Sequence, residues 1–166
     1  RQMLDAIVLC PEVECLELAG RFETPTLEEE MRQHPGWDKV KFHGYMGRDG
    51  LKEMFSRVKA GVVLLRPTTN HLHSIPVKLM EYYSVGLPVI ASDFFAENNL
   101  VVPDITGLSV SPLDVSAIAK SMHTIMQKGV AQKLAEGVVN GPQKTFSWRA
   151  EADHMNEALL LAMGKH

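Results

Sequence analysis

The chain has 166 residues, 45% of them hydrophobic, and its 17 basic and 20 acidic side chains give a formal net charge of −3. This length suits one α/β domain with a real core, and the hydrophobic content argues against disorder. Nucleic-acid binding is not expected, because no basic run is present. Cys10 and Cys15 form no CxxC pair, no His or Cys cluster has metal-ligand spacing, and there is no signal peptide or membrane-length apolar run. We therefore expect a soluble, cytoplasmic protein without a metal site.

Helical and strand patterns alternate about five times along the chain. Helices are predicted at residues 1–9, 24–33, 47–59, 76–85 and 114–128, then from about residue 130, and again from Phe146. Strands are predicted at residues 13–20, 40–44, 61–66, 89–91 and 108–110, and residues 67–73 and 93–104 are predicted to be loops. This order predicts an α/β fold, a Rossmann-like, doubly wound, mostly parallel sheet with helices on both faces.

In such a fold, ligands bind beyond the carboxyl ends of the strands. The loops that follow the predicted strands, at residues 21–25, 43–48, 66–76 and 93–99, are therefore where a site is expected. The chain opens on a helix that no strand precedes, and in a 3-2-1-4-5-6 sheet the absent strand would be the central one. We accordingly expect residues 1–166 to be a single domain of a longer protein, without its first strand.

The stretch from residue 74 to residue 92, SIPVKLMEYYSVGLPVIAS, divides into a helix, a tight turn and a buried strand. Ser74 is a predicted N-cap, and Pro76 is tolerated in the first helical turn because its missing N–H is not needed there. Gly86 is expected to end the helix in the left-handed conformation that a C-cap requires.

Lys78 and Glu81 stand three residues apart and so share one face of this helix near its N-terminus. A cation and a carboxylate beside unpaired backbone N–H groups suit a ligand that carries both phosphate and hydroxyl groups. From spacing alone, an ordinary i,i+3 surface pair is the simpler interpretation. Arg66 ends a predicted strand at the binding edge, and His43 either faces a cleft or bonds a backbone carbonyl.

The pattern P-x-K-L-x-E-Y-x-x-x-G-x-P-V-I-A-S from Pro76 to Ser92 resembles a known family. LELAG at 16–20, VKFHG at 40–44, TGLSV at 106–110 and FSW at 146–148 support the resemblance. Over residues 1 to about 160 the chain looks like the C-terminal, nucleotide-sugar donor-binding domain of a retaining glycosyltransferase of family 4. The resemblance implies one half of a GT-B fold.

The resemblance also implies roles for matched positions. Glu81 would bond the ribose hydroxyls of a sugar nucleotide, and Lys78 would lie near the diphosphate, so these two are the candidate catalytic residues. Backbone N–H groups at Ser74 and Ile75 would be available to phosphate oxygens.

Two further matches concern the base and the transferred sugar. Tyr45 and Met46 would approach the base. His73 stands where the family's first glutamate usually lies, which is a departure from the common pattern, and we include it with Arg66 among the donor-binding candidates.

The implied chemistry is transfer of a sugar from a UDP- or GDP-sugar to an acceptor hydroxyl, in polysaccharide or glycolipid synthesis, with no metal or other cofactor. The implied partner is an N-terminal acceptor-binding domain of the same full-length protein, through which a peripheral membrane contact could be made. The isolated chain should bind donor weakly at best and catalyse nothing.

Two other classes stay open. Another GT-B enzyme, such as a sugar-nucleotide epimerase, would share the fold but should show further acid/base residues in the cleft. A non-catalytic, nucleotide-binding Rossmann-like module is the second. A phosphorylatable receiver and a dinucleotide oxidoreductase are disfavoured, because the strands lack the acidic cluster of the former and the G-x-G-x-x-G turn of the latter.

Overall fold

Helices and parallel strands alternate through residues 1–142, the part of the chain that the structure, a computed structural model, describes. The strands are β1 (Leu16–Ala19), β2 (Val40–Gly44), β3 (Gly61–Val63), β4 (Val89–Ser92) and β5 (Gly107–Val110). The helices are α1 (Gln2–Val8), α2 (Pro25–Arg32), α3 (Arg48–Arg57), α4 (Thr69–Leu72), α5 (Val77–Ser84), α6 (Phe94–Glu97), α7 (Val115–Met126) and α8 (Val130–Asn140), with a 3-10 helix at Pro35–Lys39. The helix predicted from Phe146 lies outside the described residues.

All strand pairs in the described residues are parallel, which confirms the predicted α/β class. β1 pairs with β2, while β3, β4 and β5 form a second sheet with β4 at its centre. The predicted single sheet is thus present in two parts, of two and three strands. Between the two parts, the outer edges of β1 and β3 carry no strand partner within residues 1–142.

Strand β4 shows that both faces of the larger sheet are covered. Its alternate residues Val89 and Ala91 are buried in one apolar cluster with Tyr83 of α5 and Phe95 of α6. Ile90, on the opposite face, is buried in a second cluster with residues of α1, α7 and α8, namely Ala6, Ile118, Met122 and Leu134. Since successive side chains of a strand point to opposite faces, a strand that is apolar throughout must be covered on both sides.

Local signals place several helix ends where the sequence predicts them. Thr24 Oγ1 accepts a hydrogen bond from the Leu27 N–H (3.1 Å), and Asp114 Oδ1 accepts one from the Ala117 N–H (2.9 Å), so both residues are N-caps. Gly86 follows α5 with φ of 75°, the left-handed conformation predicted for it.

Two predicted strands are longer than the observed ones. The strand predicted at 61–66 ends at Val63, and the strand predicted from Val13 begins at Leu16. Beyond Val63, the Ser92 hydroxyl accepts from the Leu65 N–H (2.9 Å) and donates to the Leu65 carbonyl (2.8 Å). A side chain of β4 therefore replaces the backbone ladder there, which the apolar sequence of β3 does not reveal.

The predicted N-cap role of Ser74 is wrong. Helix α5 begins at Val77 with Pro76 as its N-cap, and no side chain bonds its first turn. The reason lies in residues 67–73, predicted to be a loop, which contain α4 capped by Thr68. The Ser74 hydroxyl donates to the His71 carbonyl (3.3 Å) at the end of α4 and so serves that helix.

The predicted loop at 93–104 likewise contains a short helix, α6. Asp93 Oδ1 accepts a hydrogen bond from the Phe94 N–H (3.0 Å), and Phe94 and Phe95 are buried against the sheet. In residues 1–142, none of these helices combines the length and apolar character that crossing a bilayer requires.

Candidate functional site

A cleft of about 610 Å³ separates the two parts of the sheet. Its walls come from β1 and β3, and its sides from α1, α3 and α7. Four of the predicted site residues line this cleft: Tyr45, Met46, Lys78 and Glu81. Tyr45 and Met46 follow β2, and Lys78 and Glu81 belong to α5, which follows β3, as expected for a site at the carboxyl ends of strands.

Lys78 lies in the first turn of α5 and Glu81 lies three residues further along the same helix, and neither side chain is paired. Within residues 1–142 the Lys78 ammonium and the Glu81 carboxylate make no hydrogen bond or ion pair, with each other or with another residue. The simpler interpretation, an i,i+3 surface ion pair, is therefore not what the structure contains. Lys78 is exposed at the cleft, yet the protein atoms around its ammonium lower its pKa by desolvation.

Tyr82 fills part of the cleft between these two residues and β3. Its ring lies so close to Gly61 that a Cβ at that position would be 2.2 Å from it, and Phe55 meets it edge-on at 5.3 Å between ring centroids. Burial, followed by the nearby charge of Glu81, raises the pKa of the Tyr82 hydroxyl. Gly61 is thus required for the close approach of the ring to the edge of β3.

Glu17 of β1 anchors an ionic cluster on the cleft wall. Arg57 donates to its carboxylate through Nε (2.9 Å) and through its terminal nitrogen (3.2 Å), and His43 Nε2 contacts it as well. Lys41 lies 3.7 Å away. These hydrogen bonds, from Arg57 first and His43 second, lower the pKa of Glu17 to about 2. His43 therefore contacts a carboxylate. Within residues 1–142 it neither bonds a backbone carbonyl nor lines the cleft, the two alternatives that the sequence left open.

Tyr45 presents an aromatic ring at the mouth of the cleft. It is 74% exposed, and the Arg21 guanidinium lies 5.2 Å from its ring centroid. A cation held against one face of the ring restrains the side chain, and a planar group can stack on an exposed ring.

Four predicted site residues do not line the cleft: Arg66, His73, Ser74 and Ile75. The Ser74 N–H, predicted to be available to phosphate, donates weakly to the His71 carbonyl (3.4 Å). The Ile75 side chain is 55% exposed, and Arg66 and His73 are exposed in the same segment. Their roles as donor-binding residues stay predictions.

Sequence reasoning missed Glu17, Arg57 and Tyr82 as cleft residues. The signal for Glu17 was present, since a charged residue between Leu16 and Leu18 in a strand of the sheet needs a partner. The sequence does not identify this partner, because Arg57 lies 40 residues further along the chain.

In residues 1–142 no group of three His, Cys, Asp or Glu side chains could hold a metal ion.

Comparison with known proteins identifies relatives that share this fold. A family model described as glycosyl transferases group 1 matches residues 3–128. Glycogen synthase from two strains of Mycobacterium tuberculosis is 22% identical, over 95% of this chain and 39% of its own length. The chain therefore spans about two fifths of these curated relatives.

Two solved structures superpose on most of the chain. Sucrose-phosphate synthase from Thermosynechococcus elongatus matches 99% of it with a TM-score of 0.76 and 22% identity. The lipopolysaccharide outer core galactosyltransferase WaaB matches 97% with a TM-score of 0.69 and 13% identity. The matches cover 43% and 44% of those chains, and at such identities they show a shared fold.

Proposed function

The chain belongs to the glycosyl transferases group 1 family, and on that premise we propose that residues 1–166 are the C-terminal donor-binding domain of a retaining, family 4 enzyme. Its substrate would be a nucleoside-diphosphate sugar, such as a UDP- or GDP-sugar, whose sugar passes to an acceptor hydroxyl. The observation that carries the proposal is the unpaired Lys78 and Glu81 on the rim of the cleft.

A diphosphate suits Lys78 for an electrostatic reason. Desolvation lowers the pKa of Lys78 because it destabilises the charged ammonium, and a neighbouring anion would stabilise that charged form again. Departure of a nucleoside diphosphate builds negative charge on the leaving group, and a cation already aimed at that charge stabilises the transition state. Lys78 would supply such a cation, and the N-terminus of α5 would supply unpaired backbone N–H groups.

Glu81 and Tyr45 suit the other parts of a nucleotide. An unpaired carboxylate accepts hydrogen bonds from two neighbouring hydroxyls, the arrangement that a ribose presents. The exposed ring of Tyr45 gives a base a surface to stack on, and Met46 supplies apolar contact beside it. Both lie in the same cleft as Lys78 and Glu81.

The acceptor would be held by a separate N-terminal domain of the full-length protein. The share of the relatives that this chain covers, 39% to 44%, supports a second unit of comparable size. Under this proposal the isolated chain binds donor weakly and catalyses nothing, and the full-length protein is cytoplasmic, with a peripheral membrane contact when its acceptor is a lipid.

The test is a ligand-observed NMR titration of the chain with UDP, GDP, ADP and NAD. We expect one nucleoside diphosphate to give saturation-transfer signals, and we expect Glu81→Ala and Lys78→Ala each to weaken them at least about fivefold, the loss of one charge-assisted hydrogen bond.

Helix α8 offers matched controls, because Lys133 and Glu136 are also exposed and three residues apart but do not line the cleft. Lys133→Ala and Glu136→Ala should leave the signals unchanged. Equal losses from both pairs, or full binding by Glu81→Ala, would overturn the assignment of this site.

A further inference from the structure

Two neighbouring loops meet at the mouth of the cleft. Gly20 follows β1 and Gly44 ends β2, and the Gly20 N–H donates to the Gly44 carbonyl at 2.7 Å. Both glycines have positive φ, 133° and 64°, in the region that L side chains resist. The chain therefore turns at the same level after both strands, and the residues that follow, Arg21 and Tyr45, lie side by side.

Arg21 brings unused hydrogen-bond donors to this position. Its side chain is exposed, and within residues 1–142 its guanidinium forms no hydrogen bond or ion pair. It contacts the ring of Tyr45, whose centroid lies 5.2 Å from the Arg21 Cζ atom. A guanidinium carries five N–H donors and no acceptor, so the Tyr45 contact holds the group in place and leaves its donors available to a ligand.

The guanidinium does not cover the centre of the Tyr45 ring. Carbon atoms in van der Waals contact lie about 3.5–4.0 Å apart, and a group centred on the ring would have its carbon at about that distance from the centroid. The observed 5.2 Å is longer, and Tyr45 is 74% exposed, so much of the ring is uncovered. A flat base that stacks on the uncovered part would turn one edge toward the N–H donors of Arg21.

We propose that Arg21 is a specificity-determining residue that selects a nucleotide whose base presents a carbonyl oxygen, uracil or guanine, over one that carries adenine. The exocyclic oxygens of uracil and guanine accept hydrogen bonds from a guanidinium, whereas the exocyclic amino group of adenine is itself a donor. In guanine, O6 and N7 together match two neighbouring N–H donors of an arginine. Because it concerns the base of the same nucleotide, this role of Arg21 depends on the proposed donor site.

A purely structural role of Arg21 predicts a different result. If the guanidinium only restrained the Tyr45 ring, its removal would weaken the stacking of every base, because every base has a π-face. If it bonds a carbonyl oxygen, its removal weakens the binding of uracil or guanine and leaves that of adenine unchanged. The ratio of affinities among bases therefore distinguishes the two roles.

The test is a ligand-observed NMR titration of residues 1–166 with UDP, GDP and ADP, which gives a dissociation constant for each nucleotide. We expect UDP or GDP to bind at least about tenfold more tightly than ADP, as one hydrogen bond to a charged group provides. Arg21→Gln should weaken the preferred nucleotide until it binds within about twofold of ADP, while the dissociation constant of ADP is unchanged.

Arg32→Gln is the matched control. The Arg32 guanidinium also lies over aromatic rings, at 5.3 Å from the Trp37 centroid and 5.5 Å from the Phe42 centroid. It bonds Glu28 and does not line the cleft, so this substitution should leave all three dissociation constants unchanged. Lys78→Ala should weaken UDP, GDP and ADP alike, because all three nucleotides carry the diphosphate.

The outcomes separate the role of Arg21 from the donor site itself. If the unaltered chain binds ADP as tightly as UDP and GDP, or if Arg21→Gln weakens all three equally, the role of Arg21 is overturned and the donor site stands. If none of the three nucleotides binds, or if Lys78→Ala changes no dissociation constant, the donor-site proposal fails and the role of Arg21 fails with it.

Discussion

The Glu17 carboxylate shows how one partly buried charge organises its surroundings. Its side chain is 11% exposed, and Arg57, His43 and Lys41 surround it from α3 and β2. Hydrogen bonds to a charged group stabilise a fold by about 1.5–3 kcal/mol each, provided that both partners stay in place. Lys78 and Glu81 are the opposite case, because their charges have no partner in residues 1–142 and are free for a ligand.

Replacing Glu17 by Gln should lower the free energy of unfolding by about 1–2 kcal/mol at pH 7, because Arg57 loses an ionised partner. The folded-state pKa of Glu17 is about 2, below its ordinary value of 4.5. Its contribution is therefore fully present above pH 4.5 and is lost as the pH falls toward 2. Urea denaturation of both proteins across this pH range would measure the difference.

Glu28→Gln is the control for this prediction. Glu28 pairs with Arg32 at 2.7 Å on the exposed face of α2, where an ion pair one helical turn apart is worth less than about 0.5 kcal/mol. If Glu17→Gln and Glu28→Gln lowered the free energy of unfolding equally at pH 7, the low exposure of Glu17 would add nothing to the stability that its ion pairs provide.

At the scale of elements, turn chemistry decides where α5 gives way to β4. Gly86 has φ of 75°, and a Cβ there would lie 3.2 Å from Val139 Cγ2 of α8. Gly50 is different, because it lies inside α3 and a Cβ there would meet only the flexible end of Met46, at 3.0 Å from Cε. Alanine substitutions at these two positions therefore distinguish the effect of backbone strain, at Gly86, from the effect of helix propensity, at Gly50.

We expect Gly86→Ala to destabilise the protein by about 1 kcal/mol or more, because L-residues resist positive φ. Gly50→Ala should stabilise it by up to about 1 kcal/mol, the difference in helix propensity. Thermal unfolding followed by circular dichroism would show opposite shifts in the melting temperature. A shift of the same sign for both would contradict the assignment of strain to Gly86.

Elements with strong local signals were predicted from the sequence, and weaker ones were missed. The predicted strand at 40–44 has the observed bounds, because Gly36 breaks the preceding helical pattern, Val40 and Phe42 alternate with polar residues and Gly44 ends the strand. The sequence predicts loops where the four-residue helices α4 and α6 lie, since four residues are too short to show helical periodicity.

At the scale of the whole molecule, the two parts of the sheet differ in how they are buried. One buried apolar cluster contains residues of β3 and β4 and the other contains residues of β4 and β5, whereas no residue of β1 or β2 is among the buried apolar side chains of residues 1–142. Burial of apolar surface is the main stabilising contribution, so the part formed by β1 and β2 should open more readily.

Native-state hydrogen exchange at increasing urea would test this difference. We expect the amides of Leu16–Ala19 and Val40–Gly44 to exchange through a partial opening, with a lower free energy than those of Val89–Ser92. One common opening free energy for β1, β2 and β4 would show instead that residues 1–142 unfold as a single cooperative unit.

By itself, the sequence determined the α/β class and most helix and strand positions, including the helix that carries both Lys78 and Glu81, because caps, periodicity and buried runs are local properties of the chain. Only the tertiary structure decided the end of β3 at Val63, beyond which Ser92 of β4 bonds the Leu65 backbone, the pairing of Glu17 with Arg57 and the cleft between β1 and β3. Each of these depends on contacts between residues at least 27 positions apart, which no local pattern encodes.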